Sequence, residues 1–166
     1  MPQIPGRGVA AERIGGYVYG TIVVLATMIE GEEAFRLEKG HVALVVLMTT
    51  IVFWLAHVYA HTLAESVKRD RRVNRRDVLA IAHREGSIVE AAVLPVSMLV
   101  LGKLGVFTLH TAVWLGVACG IAVLVAQGIR YARIEHLGPL ATLAIAGLNL
   151  GIGLVLVGLK IFVGHH

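Results

Sequence analysis

Histidine and carboxylate side chains recur at helical spacing in one long apolar stretch of this sequence. His57, His61 and Glu65 stand at positions i, i+4 and i+8, and the run Val42–Ala64 around the histidines contains no Asp, Glu, Lys or Arg. Residues four apart share one face of an α-helix, so these side chains form a stripe. Because histidine titrates near neutral pH, the stripe predicts proton or cation chemistry.

A second polar stripe follows a stretch of basic residues. His83, Ser87 and Glu90 stand at i, i+4 and i+7 on the next predicted helix. Two antiparallel helices joined by the basic loop 65–77 would bring both stripes to the same depth, so we expect Glu90 to face the histidine pair. The members of this predicted cluster are His57, His61, Glu65, His83, Ser87 and Glu90.

Three interpretations of the cluster are open. In the first, it forms a path for protons or a small cation, since ionisable groups inside a membrane mark such paths. In the second, Glu90 and one histidine form a buried pair that ties two helices together. In the third, His57, His61 and Glu90 bind a metal ion. The residues Val58-Tyr59-Ala60 between the histidines lack the glutamate base of helical zinc proteases.

The composition indicates a membrane protein. Hydrophobic residues make up 57% of the 166 residues and charged residues 16%, whereas average globular proteins have about 45–50% and about 25%. A helix needs about 20 apolar residues to cross ~30 Å of hydrocarbon. We predict an all-α, polytopic transmembrane helical bundle, because the apolar runs lack the alternation of a β-barrel. After a tail of residues 1–13, five spans are predicted at about 14–29, 42–64, 86–101, 106–129 and 140–163.

The basic residues predict the orientation of the chain. Arg7 and Arg13 precede the first span, and loop 65–77 is strongly basic, which places the N-terminus and this loop in the cytoplasm. We expect a multi-pass protein of the bacterial inner (plasma) membrane, with Lys68–Arg76 contacting anionic lipids. The formal charge of +4 is explained by these loops, so we expect no nucleic-acid partner.

Glycine is frequent within the predicted spans, with 19 residues in the chain. Glycines four apart share one helix face and let helix backbones approach closely in lipid. We expect the glycine face of the last span to pack tightly, within the chain or between subunits of a homo-oligomer. The predicted packing residues are Gly116, Gly120, Gly147, Asn149, Gly151 and Gly158.

Two stretches carry a resemblance to known proteins. The run Phe53–His61 and the ending Asn149–Gly164 resemble small multipass bacterial membrane proteins, and this likeness implies no activity. The chain is also similar to bacterial relatives of the lysosomal potassium channels, in which an Arg precedes the first helix and an aromatic–His pattern ends the second. It has Arg13-Ile14-Gly15-Gly16-Tyr17 where that family has a Phe-Ser-Asp motif, and fewer spans, so no residue role is carried over.

The sequence thus predicts an integral membrane protein that conducts or transports protons or a small cation through the polar cluster. The first alternative is a membrane interaction or scaffold protein in which the cluster is structural. The second alternative is a metal-binding membrane enzyme. No catalytic residue is assigned and no cofactor is strongly implied, since the single cysteine, Cys119, cannot form a disulfide or a cysteine-based metal cluster within one chain.

Overall fold

A computed structural model describes residues 7–34, 41–69 and 73–163, and every regular element in these ranges is an α-helix. The predicted tail 1–13, the basic loop 65–77 and the ending up to Gly164 therefore lie partly outside the described residues. The helices are α1 (Arg7–Ala34), α2 (His41–Arg69), α3 (Arg75–Arg84), α4 (Ser87–Lys103), α5 (Leu109–Ile134) and α6 (Pro139–Val163). This confirms the prediction of an all-α protein.

Four helical segments are long and apolar enough to cross a membrane: Glu12–Gly31, His41–Lys68, Leu109–Ile134 and Pro139–Gly158. The pair α3 and α4 meets the same test when taken together, and the two helices are bent by 41° at the break between them. The described part of the chain therefore has four candidate spans, or five if the bent pair counts as one. This architecture is compatible with a multi-pass membrane protein.

The break between α3 and α4 has local causes. α3 begins with a capping box, in which the backbone N–H of Asn74 donates to Asp77 Oδ2 at 3.0 Å. The helix ends at Arg84, with Glu85 as its C-cap, and Ile81 is the buried residue of this short polar helix. The sequence predicted a span that begins at about residue 86, and the observed break lies just before it.

α1 lies at the centre of the bundle, in contact with α2, α4, α5 and α6. The close approach of α1 to α4 requires glycine at position 20, because a Cβ there would lie 2.5 Å from the carbonyl oxygen of Ile88. The predicted packing residues Gly116 and Gly120 lie on α5 against Met28 and Leu25 of α1. Members of the apolar core include Val24, Leu25, Met28, Val42, Val46, Leu99, Val113, Val117 and Leu124.

The last helix contacts the bundle through a face that does not include Gly147, Gly151 or Gly158. A Cβ at Gly147, Gly151 or Gly158 would have no heavy atom of the described chain within 4 Å, whereas a Cβ at Gly153 would lie 3.0 Å from Ile121. Close packing of these three glycines within the described residues is therefore not seen, and their packing between subunits stays a prediction. Asn149 does bind across the helix contact, since its Nδ2 donates to the carbonyl oxygen of Leu124 at 3.0 Å.

Candidate functional site

Glu90 is paired with α1, and the expectation that it faces the histidines of α2 was wrong. Arg13 Nη2 lies 3.1 Å from Glu90 Oε1 and 2.9 Å from Oε2, and it donates to both oxygens. The hydroxyl of Tyr17 donates to Oε2 of the same carboxylate. Arg13 and Tyr17 are four residues apart, so they share one face of α1. The three side chains together join the start of α1 to the first turn of α4.

The partner of His61 is Glu85, a residue that the spacing of the stripes did not single out. His61 Nδ1 lies 3.1 Å from Glu85 Oε1, and the Glu85 side chain is only 7% exposed. Glu85 lies at the break between α3 and α4, so this pair joins α2 to that break. A signal in the sequence could have identified it, because Ile81, Glu85 and Ile88 follow the i, i+4, i+7 spacing of one face. A carboxylate among buried apolar side chains on one face needs a partner.

Arg84 extends this pair to the central helix. Its Nε lies 3.1 Å from Glu12 Oε2 on α1 and 3.8 Å from Glu85 Oε1. Glu12, Arg84, Glu85 and His61 therefore form a chain of ion pairs that connects α1, the α3–α4 break and α2. We call these four residues, together with Arg13, Tyr17 and Glu90, the charged cluster. The sequence had assigned Arg13 only to membrane orientation and had given Glu12 and Arg84 no role.

His57 lies one turn from His61 but in aromatic surroundings. Its ring centroid is 4.5 Å from that of Tyr19 on α1 and 6.2 Å from that of His61. Its Nδ1 is 3.3 Å from the carbonyl oxygen of Phe53 in the preceding turn. His57 and His61 thus keep the predicted common stripe on α2, although Glu90 does not join them.

The remaining predicted residues are distributed around the cluster. Ser87 is buried directly against Gly16 of α1, and its Oγ has no hydrogen-bond partner among the described residues. His83 is exposed and lines a groove together with Glu90. Glu65 lies one turn beyond His61, near the end of α2, and is partly buried.

A metal site at the predicted residues is not seen. No group of three or more His, Cys, Asp or Glu side chains is placed to hold a metal ion in the part of the chain that the structure describes. Glu90 contacts Arg13 of α1, whereas the two histidines lie on α2. The set His57, His61 and Glu90 is therefore not brought together as one set of ligands.

The charges of the cluster nearly balance. Two guanidinium groups, of Arg13 and Arg84, lie close to three carboxylates, of Glu12, Glu85 and Glu90. Arginine keeps its charge in proteins, so both cations are permanent. His61, 3.1 Å from Glu85, is the further polar partner of these carboxylates. The arrangement can thus hold helices together by charge.

The contacts described above are the basis for inferring the function of this chain. No family model matches the chain, and neither does any curated protein or solved structure. The likeness to small multipass bacterial membrane proteins and to potassium-channel relatives therefore stays a prediction.

Proposed function

We propose that this chain is a membrane interaction or scaffold protein of the bacterial plasma membrane, in which the charged cluster clamps the helices together. The observation that carries the proposal is the position of Glu90, whose carboxylate accepts hydrogen bonds from both Arg13 and Tyr17. These partners belong to another helix, so the contact fixes α4 against α1.

The chemistry of the pair favours a clamp over an ion-binding site. A carboxylate that passes cations must release each of them, and its affinity must be weak enough to permit exchange. Arg13 is a permanent cation attached to the chain, and both oxygens of Glu90 are hydrogen-bonded to it. A mobile ion would have to displace this partner.

The open faces of the bundle suit an interaction role. On α6, the face with Gly147, Gly151 and Gly158 has no neighbour within the described chain. Small residues on a lipid-facing helix allow another helix to pack closely against it. A homo-oligomer or a membrane partner assembled through such a surface agrees with the sequence-based expectation.

The orientation in the membrane is proposed from the basic residues. The start of α1, the ends of α2 and α5, and α3 all lie toward the end of the bundle that holds the charged cluster. Because positive residues are enriched on the cytoplasmic side, we assign this end and the N-terminus to the cytoplasm. The basic residues at this end are Arg13, Lys68, Arg75, Arg76, Arg84, Arg130 and Arg133.

Proton transport is the second candidate function, and the His61–Glu85 pair is the observation that favours it. The imidazole is 43% exposed while its carboxylate partner is 7% exposed, so the histidine lies between solvent and a buried acid. His57 lies on the same stripe, one turn before His61 on α2. A proton relay requires such titratable groups in series.

One experiment separates these two functions. Purified protein is reconstituted into liposomes, and proton and potassium fluxes are measured with indicator dyes under an imposed gradient. The clamp proposal expects flux equal to that of empty liposomes, and it expects Glu90→Gln to lower the melting temperature. Glu135→Gln is the matched control, because Glu135 is exposed at the end of α5. Flux above that of empty liposomes, abolished by His61→Gln in protein that remains folded at the assay temperature, would establish transport instead.

A further inference from the structure

An apolar groove runs along α4 on the side that faces α2. It has a volume of about 490 Å³, and its lining includes Leu47 of α2 and Val93, Val96 and Val100 of α4. Ser97 is the polar residue of this lining, and its hydroxyl already donates to the carbonyl oxygen of Leu94 at 2.6 Å. The groove therefore offers almost only hydrocarbon contacts, and it lies on a predicted membrane span.

A second groove continues the first toward the charged end of the bundle. It has a volume of about 530 Å³ and lies between α2, α3 and α4, with Trp54, Leu79 and His83 in its lining. Val89 lines both grooves, so they form one continuous surface, which we call the α2–α4 track. Its lining changes from almost entirely aliphatic to partly polar along its length.

The polar end of the track carries positive charge. Arg76, Leu79 and His83 follow the i, i+3, i+7 spacing, and Arg75 is four residues before Leu79, so these side chains share one face of α3. All four are exposed, and Leu79 and His83 line the track. Glu90 also reaches this end, but Arg13 balances its charge. Arg75 and Arg76 outnumber Asp77 in the first turn of α3, so this end has a net positive charge.

We propose that the α2–α4 track binds one anionic phospholipid, with an acyl chain on the aliphatic part and the phosphate group near Arg75, Arg76 and His83. An amphiphile with an apolar tail and an anionic head matches the track, which is aliphatic along α4 and basic beside α3. The 41° bend between α3 and α4 leads the track from the span to the interfacial helix. The inference rests on the membrane location in the proposed function and is independent of the choice between scaffold and transporter.

The chain contains two tryptophans, and their positions allow a direct test. Trp54 lines the track, whereas Trp114 lies on α5 away from it. A Trp114→Phe protein is placed in phosphatidylcholine vesicles that contain either brominated phosphatidylglycerol or brominated phosphatidylcholine at the same mole fraction. Bromine quenches tryptophan on contact, so the Trp54 emission reports which lipid occupies the track.

We expect phosphatidylglycerol to occupy the track about five-fold more than phosphatidylcholine, the factor that one basic side chain near an anionic lipid supplies. Arg75→Gln with Arg76→Gln should remove this excess. Arg130→Gln with Arg133→Gln, a matched pair of exposed arginines on α5, should leave it unchanged. Trp114, observed in a Trp54→Phe protein, should show no preference between the lipids.

Three results would overturn the proposal. Equal quenching of Trp54 by the two lipids would show that the track has no preference for anionic lipid. If the excess quenching by phosphatidylglycerol survives the α3 substitutions, or falls equally with the α5 pair, it arises from the general surface charge and not from the track. Absence of quenching by either lipid would mean that a protein segment covers the track. Because none of these readings uses flux, the lipid site can fail while the clamp proposal stands, and the reverse also holds.

Discussion

Arg13 and Glu90, 77 residues apart in the chain, are joined by two hydrogen bonds from one guanidinium nitrogen to both carboxylate oxygens. The contact joins the beginning of α1 to the beginning of α4, next to the break that separates α4 from α3. The second ion-pair chain joins the same break to α2 through Glu85 and His61. The polar groups of this end thus connect α1, α2 and α4 around the break between α3 and α4.

The pairing of Arg13 with Glu90 predicts a measurable coupling energy. Arg13→Gln and Glu90→Gln should each lower the free energy of unfolding, and the double variant should lose less than the sum. We expect a coupling of about 1 kcal/mol, since the side chains are 41% and 46% exposed and solvent weakens such pairs. Reversible unfolding in detergent measures it. Strict additivity of the two substitutions would contradict the pairing.

A double-mutant cycle on His61 and Glu85 tests the contact of the buried carboxylate of the cluster. His61→Ala leaves the Glu85 carboxylate, only 7% exposed, without its imidazole partner. We expect this to cost roughly 1–3 kcal/mol of unfolding free energy. In a Glu85→Gln background the same substitution should cost at least about 1 kcal/mol less, because no buried charge is left behind. An equal cost in both backgrounds would show that the two side chains do not interact. His57→Ala, one turn away, serves as the control in both backgrounds.

The sequence predicted a span that begins at about residue 86 and the stripe on α2, but it missed the true partner of Glu90. The prediction treated α4 as the antiparallel neighbour of α2 and compared depths along straight helices. The 41° bend at Glu85 and Gly86 changes the direction of the chain, and α1 supplies the cation. Helical spacing within α1 places Arg13 and Tyr17 on one face, but no local pattern relates that face to a residue 77 positions away.

The glycines also show that local spacing does not identify the partner of a residue. The i, i+4 spacing predicted close contacts for both Gly116–Gly120 and Gly147–Gly151, and the first pair alone contacts another helix of the described chain. Both pairs have the spacing of a tight helix contact, and only the arrangement of α5 against α1 distinguishes them. Spacing identifies a face that can pack closely, whereas the neighbouring helix determines whether it does.

Two alanine substitutions test this packing. At Gly20, Ala should destabilise the protein, because its Cβ would lie 2.5 Å from the backbone oxygen of Ile88, which no side-chain rotation can relieve. At Gly15, where a Cβ also meets open space, Ala should leave the melting temperature unchanged or raise it, since Ala favours helix over Gly by about 1 kcal/mol. Thermal unfolding of the two variants measures the contrast. Equal melting temperatures would contradict the close approach of α1 and α4.

The orientation of the chain can be tested with single cysteines in a Cys119→Ser protein. Leu104→Cys and Glu135→Cys place thiols in the turns after α4 and α5, at exposed positions toward opposite ends of the bundle. Because the positive-inside rule assigns the end with Arg130 and Arg133 to the cytoplasm, a membrane-impermeant maleimide added to intact spheroplasts should label only Leu104→Cys. Glu135→Cys should react once the membrane is permeabilised. Labelling of Glu135→Cys alone in intact spheroplasts would invert the proposed topology, and labelling of both would contradict a crossing by α5.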